Sequence, residues 1–278
     1  MQRLMKTKLV IPGRPLAVPA APQAFARRSD GLYFYQACDL PGIGFVPGAW
    51  DHRGGEDAYL GHTEFDGLTA IDVGPANGFW SFEMERRGAN VTAIELGEDD
   101  LWDAVPHVVN GQKHLQAALK DSVRSVHSDF LRCRTALKSN VGIKRGSAYS
   151  IPDLVGDVDV ALMGNILQHL RDPFLAIERV ASRVKKRIVI SEAFWIDDEA
   201  LLHSARLSLI PRRSTPTINH SWYQTTPVFV SEVLDILGFE NIRHEMHWQA
   251  FHGTDPLVAP RMIRHFTVVA DRSPLTTG

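Results

Sequence analysis

The chain has only two cysteines, Cys38 and Cys133. That is too few for a multi-bridge disulfide framework or a four-cysteine zinc site. Charge of one sign is not in excess. Thirty Lys plus Arg stand against 32 Asp plus Glu, a formal net charge of -2. This argues against a strongly basic nucleic-acid coat and leaves only local basic patches open. No uninterrupted apolar run approaches the roughly 20 residues that cross a bilayer as a helix. Internal repeats are not evident. Twelve histidines occur without an HExxH motif or a compact Cys/His set, and no GxSxG elbow is present. His244 and His247 fit one helical face but have no third ligand nearby. No metal site is expected, and metallo-hydrolase and serine-hydrolase chemistry are both disfavoured.

What is present is ordinary globular material: 278 residues, 44% hydrophobic and 22% charged. This suits one large α/β domain with additions. Residues 1–30 read as a flexible basic leader, because Pro12, Pro15, Pro19 and Pro22 interrupt any signal-like helix. Cytoplasmic placement is the expectation. Residues 31–278 then form a single domain with an N-terminal extension and a late cap. The extension contains YFYQACDLPGIGFVPG, in which aromatic anchors alternate with turn residues. It either packs on a sheet or covers a pocket.

Strand and helix signals alternate from residue 68 onward. LTAIDV reads as a buried strand, GPANG as a break, FWSFEMERRG as a helix and NVTAIEL as a second strand. Together they make a βαβ unit. A long helical region follows within residues 101–141, with Phe130, Leu131 and Leu137 turned inward. GSAYSIPDL reads as a loop or short strand, DVDVALMGNIL as a strand, DPFLAIERVASRV as a helix and KKRIVISE as a strand. Later, TPTINHSWYQTTP looks like a polar-aromatic turn or lid. VFVSEVLDILGF looks like a helix closed by Gly238, and MIRHFTVVADR like a late edge strand. The pattern predicts a Rossmann-like, doubly wound, mostly parallel sheet with N-terminal and late cap additions.

In IDVGPANG, Gly74 and Gly78 frame a sharp passage from strand to helix without completing the dinucleotide fingerprint GxGxxG. Glu95 ends the next strand, where a carboxylate can accept hydrogen bonds from ribose hydroxyls. These residues leave three readings open: an NAD oxidoreductase, an S-adenosylmethionine pocket, and a noncatalytic nucleotide- or RNA-binding module.

With GSAYSI and NILQHLRDP added, the chain resembles the class I S-adenosylmethionine-dependent methyltransferases over about residues 31–271. The resemblance is most specific over 68–192. YFYQACDLPGIGFVPG and FWSFEMERRGA are similar to the branch that holds tRNA wobble-uridine modifying enzymes and related small-molecule methyltransferases. The resemblance implies that S-adenosylmethionine lies against Asp72, Gly74, Asn77, Gly78, Glu95, Leu96, Ala148, Tyr149, Gly164 and Asn165. Gln168 departs from that branch. Carboxymethyl-transferring relatives have a tyrosine there that helps recognise the donor's extra carboxylate, so ordinary methyl transfer is the better expectation.

His169 is the leading acid–base candidate, because its imidazole titrates near neutrality after the fourth strand. His220, beside Trp222 and Tyr223, is the second. Tyr35, Arg171, Trp222 and Tyr223 are candidates for contacting the acceptor. A small metabolite or saccharide-like acceptor, methylated on oxygen ahead of nitrogen, is expected, with tRNA a weaker alternative. Arg132, Arg134, Lys138, Lys144 and Arg145 are the residues that could meet its phosphates. Oligomeric state is not legible in the sequence.

Overall fold

The computed structural model describes residues 32–97, 100, 102–106, 113–196, 198–211, 221–253 and 259–272. The proposed leader lies outside them. The N-terminal extension folds as four short strands, β1 (Phe34–Gln36), β2 (Cys38–Leu40), β3 (Gly44–Val46) and β4 (Gly48–Asp51), followed by a turn of helix, α1 (Glu56–Tyr59). Next come β5 (Thr69–Val73), α2 (Phe79–Arg86), β6 (Asn90–Glu95), α3 (Lys113–Leu137), β7 (Gly142–Arg145) and α4 (Ile151–Leu154). The second half holds β8 (Val158–Gly164), α5 (Pro173–Ala181), β9 (Val184–Phe194), α6 (Glu199–Leu202), β10 (Leu207–Leu209), β11 (Tyr223–Thr225), α7 (Pro227–Ile236), β12 (Phe239–Phe251) and β13 (Arg261–Arg272).

Nine strands make one sheet in the order β1-β4-β12-β13-β9-β8-β5-β6-β7. Pairing is parallel from β9 through β8, β5 and β6 to β7. It is antiparallel where β13 enters between β9 and β12. This is the expected Rossmann-like, mostly parallel sheet, closed on one side by an antiparallel terminal hairpin. The order reverses beside β5, so the connections that leave the carboxyl ends of the paired strands β5 and β8 run apart and leave a crevice.

Parallel central strands are buried on both faces, which explains their nearly unbroken apolar runs. Alternation sends Ile71 and Val73 to a cluster with the residues of α5 and α7. Ala70 faces the opposite cluster, which α2, α3 and the N-terminal extension cover. Helix starts follow local chemistry. Asp172 Oδ1 accepts from Leu175 N at 3.0 Å ahead of Pro173, and Thr226 Oγ1 accepts from Phe229 N at 3.3 Å ahead of Pro227. Gly238 closes the late helix at φ 80°.

Several expectations are corrected. MIRHFTVVADR is an interior strand, not an edge, because β12 pairs along its outer side. Strand β12 alternates exposed charges with few buried residues, so its sequence hides it, and it carries His244 and His247 on a strand instead of a helix. GSAYSIPDL is a 3-10 turn leading into α4. Leu131 points outward at 40% exposure while Phe130 is fully buried.

Besides the pairing of β4 with β12, one side chain fastens the extension to the turn after β5. Asn77 Oδ1 accepts from Gln36 N at 2.7 Å, and Asn77 Nδ2 donates to Gln36 O at 3.0 Å. Both residues are buried. Replacing Asn77 with alanine leaves two buried backbone groups unpaired and is expected to cost about 2–4 kcal/mol. Urea denaturation checks this, and a variant as stable as the parent contradicts the clasp.

Candidate active site

The crevice is a cleft of about 1160 Å³ including its open mouth. One wall is the turn after β5. Three of its residues hold left-handed backbone: Gly74 at φ 76°, Ala76 at φ 53° and Gly78 at φ 91°. A Cβ on Gly74 would lie 2.6 Å from Ile166 Cδ1, and one on Gly78 would lie 2.5 Å from the Phe82 ring. Both glycines are favoured by φ, and Gly78 by space as well, since the Phe82 and Phe130 rings close on it. Ala76 stands where the common GxGxG pattern has its middle glycine, and it keeps the same hand of turn.

Glu95 borders this turn from the end of β6, as expected. Its carboxylate accepts from Leu96 N at 2.9 Å. Burial raises its pKa, opposed by the backbone amides of Leu96 and Ala76 and by the charge of Arg145. Leu96, Ala148 and Tyr149 continue the same wall, and Gly164 and Asn165 close the opposite end with Tyr35 and Tyr59. His169 also lines the cleft, with its ring 5.7 Å from that of Trp102.

Three of the expected donor-binding residues stand behind this wall. Asp72 is buried on the α2 side, where its Oδ2 accepts from Ser81 Oγ at 2.6 Å. Burial pushes its pKa up to about 7, against the Ser81 hydrogen bond and with help from the charge of Glu95. Asn77 spends its amide on Gln36. Gly78 caps α2, and the first helical N–H, on Phe79, donates to Gln36 Oε1 at 3.2 Å.

Sequence reasoning missed Asp103, and it missed Gln36 and Tyr59, which also line the cleft. Asp103 Oδ2 accepts from Tyr149 Oη and, at 2.9 Å, from Arg171 N, while its carbonyl oxygen accepts from Trp222 Nε1. The Arg171 guanidinium lies 5.2 Å over the Trp222 ring. Arg171 and Trp222 thus fasten the segment around Asp103 across the mouth without lining the cleft. Nothing in a single Asp between Trp102 and Ala104 signals that role. Tyr223 sits in β11, paired with Leu209 and away from the lining residues. His220 lies outside the described residues. Gln168 Oε1 accepts from Trp195 Nε1 at 3.2 Å, and Gln168 is not among the lining residues.

A second buried acid sets the floor under His169. Glu192 Oε1 accepts from Ile166 N at 2.8 Å and Leu167 N at 2.7 Å, capping the 3-10 turn Leu167–His169. Asn165 Oδ1 accepts from Ala193 N at 2.8 Å, and its Nδ2 donates to His265 Nε2 at 3.2 Å. No group of three or more potential metal ligands occurs among the described residues. None of their helices is long and apolar enough to cross a membrane.

No family model and no curated protein matches the chain. Solved structures resemble its backbone. Magnesium protoporphyrin IX methyltransferase from Synechocystis PCC 6803 with bound SAM is 16% identical over 78% of this chain and 76% of that one, with a TM-score of 0.45. The 1,6-didemethyltoxoflavin-N1-methyltransferase of Burkholderia thailandensis is 15% identical over 80% and 78%, with a TM-score of 0.47. The N-terminal domain of EvdMO1 is 18% identical over 85% and 90%, with a TM-score of 0.48. These are likenesses of chain course, and chemistry has to be read from the side chains of the cleft.

Burial pushes the Glu192 carboxyl up to about 8, against its backbone hydrogen bonds. The unfolded carboxyl titrates near 4.3, so between these values the native state holds a proton that the unfolded state has lost. Stability then falls as pH rises, by at most about 1.4 kcal/mol per pH unit for each such group. His52 and His247, lowered to about 4 by burial, act the opposite way but only below the ordinary histidine range. From pH 6.5 to 8 the acids dominate. Glu192→Gln is expected to flatten the decline in Tm over that window, and a decline parallel to the parent's contradicts this reading.

Proposed function

We propose that the chain is an S-adenosylmethionine-dependent methyltransferase that methylates an oxygen or nitrogen of a small metabolite or saccharide-like acceptor. The observation that carries this reading is the meeting of the left-handed turn at Gly74 and Ala76 with the Glu95 carboxylate on one cleft. Gly74, where an added Cβ would meet the lining residue Ile166, keeps the turn close against the cleft. Glu95 holds the ribose hydroxyls, Leu96 and Ala148 flank the base, and Tyr149 borders it. Gly164 and Asn165 face the methionine part. Asp72, Asn77 and Gly78 hold the shape of the turn from behind.

When bound, the donor supplies an electrophilic methyl group on a sulfonium sulfur. The residues of the chain orient the acceptor so that its nucleophile lies in line with the sulfur–methyl bond, which removes much of the entropic cost of their meeting. Tyr35 lines the acceptor end, and His169 takes a proton from an acceptor hydroxyl or ammonium. His220 is a second candidate for that proton, with Tyr223 on the late cap. Arg171 and Trp222 act through Asp103, holding the mouth. The described lining contains no Lys or Arg, which supports a small acceptor over the phosphate backbone of tRNA.

Isothermal titration with S-adenosylhomocysteine tests the donor assignment. Glu95→Gln is expected to weaken binding at least about tenfold, since it replaces a charged acceptor pair. Equal affinity in parent and variant, or no binding by the parent, overturns the assignment. With an acceptor found by panel screening, His169→Ala is expected to lower kcat about 10²-fold or more with KM little changed. Unchanged turnover at saturation removes His169 from the chemistry.

A further inference from the structure

Strand β12 pairs with β13 from end to end, but on its other side β4 reaches it at Ala250 and Phe251 alone. Toward its start the strand is bent by a bulge between Glu240 and Arg243, with Asn241 in left-handed backbone at φ 51°. Between bulge and β4, residues 243–249 form an edge that no strand among the described residues covers. His252 N donates to Ala49 O at 2.8 Å on the β4 side. Alternation then turns the N–H and C=O groups of His244, Met246 and Trp248 outward along this edge, and those of the odd-numbered residues toward β13. The side chains of the same three residues share one face of the sheet. Met246 is 37% exposed and Trp248 56%, and Met262, paired with Ala250, adds a third exposed apolar side chain. Helix α7 packs on that face at Phe239 and Ile242 and leaves the later residues bare.

We propose that residues 243–249 are the interface of a two-fold homodimer, in which β12 of two copies pairs antiparallel and the two sheets join edge to edge. A second copy fits because this edge is complementary to itself in length, hydrogen-bond polarity and charge. Its midpoint is Met246. Pairing the whole edge about that point sets the outward groups of Met246 against those of the same residue, and His244 against Trp248 on either side. The bulge of each copy ends the pairing where β4 of the other begins. Neighbouring registers are worse. A centre at Glu245 sets that carboxylate against itself, and like charges directly opposite are destabilising. A centre at His247 carries His244 onto Ala250, whose outward side β4 already holds. At the Met246 centre, Arg243 faces Gln249, Glu245 faces His247, and no like charges oppose. The exposed Met246 and Trp248 cover each other across the axis, which is how an open apolar edge is kept from pairing without limit. None of these residues lines the cleft, so the interface stands or falls apart from the methyltransferase reading.

The test is the mass of the full chain by light scattering over a concentration series, with hydrogen exchange of peptides spanning 243–249. A mass near twice 31.0 kDa is expected, with exchange over the edge that quickens as the dimer is diluted. Met246→Lys and Met246→Glu are each expected to be monomeric where the parent is dimeric, because like charges then meet on the axis. Both keep the β12–β13 ladder, since Met246 turns its N–H away from β13. Mixed in equal amounts, the two variants are expected to recover the dimer mass, because opposite charges then meet. If circular dichroism shows either charge variant unfolded, Trp248→Ser decides in its place. It is expected to raise the dimer dissociation constant at least about tenfold. A parent that stays monomeric, open-ended assembly in place of a dimer, a dimer that survives Met246→Lys, or an unchanged constant in Trp248→Ser overturns the interface. A mixture of the folded charge variants that stays monomeric overturns the pairing about Met246.

Discussion

The Gly74 N–H donates to Ile94 O at 2.9 Å and ties the turn after β5 to the end of β6, and the cleft depends on that contact. A non-glycine residue in left-handed backbone costs roughly 1–2 kcal/mol. Ala76 bears that strain beside the Glu95 carboxylate, whose charge its amide favours against burial. Leu96 N donates to the same carboxylate at 2.9 Å where Glu95 lines the cleft. Gly74 and Gly78 allow the turn to lie close to Ile166 and Phe82, so the wall is thin where a ligand has to approach it.

Around that turn, polar residues divide into those that face the cleft and those that shape it. Asp72, Asn77 and Glu192 are buried and use their acceptors on Ser81, the Gln36 backbone and the turn before His169. They are costly groups, and their hydrogen bonds are what make their burial tolerable. The fold thus fixes both ends of the cleft with polar groups that do not line it. The N-terminal extension is one of those ends, since Asn77 and the pairing of β1 with β4 hold the strand from which Tyr35 and Gln36 reach the cleft.

The central βαβ unit was legible because both periods in it are strong: buried runs for β5, β6 and β8, and an amphipathic α2 between Gly78 and Gly88. Glu95, Gly164 and His169 were legible for the same reason, since the first two end β6 and β8 and the third follows β8 by one short turn, whereas Tyr149 follows β7 and was expected from the resemblance alone. Strands β7 and β12 were not. The first is short and half-exposed, and the second alternates charge with too few buried residues to mark a period. Asp103 was hidden because its partners, Tyr149, Arg171 and Trp222, come from distant segments. Asn77 was expected at the ligand because its neighbours are there, and only three-dimensional pairing shows its amide turned toward Gln36.

Co-crystallisation with S-adenosylhomocysteine measures the central claim most directly. Electron density for the nucleoside is expected between the Gly74–Ala76 turn and Ala148, with both ribose hydroxyls within hydrogen-bond distance of Glu95. Density at another surface, or a nucleoside whose ribose faces away from Glu95, would contradict it.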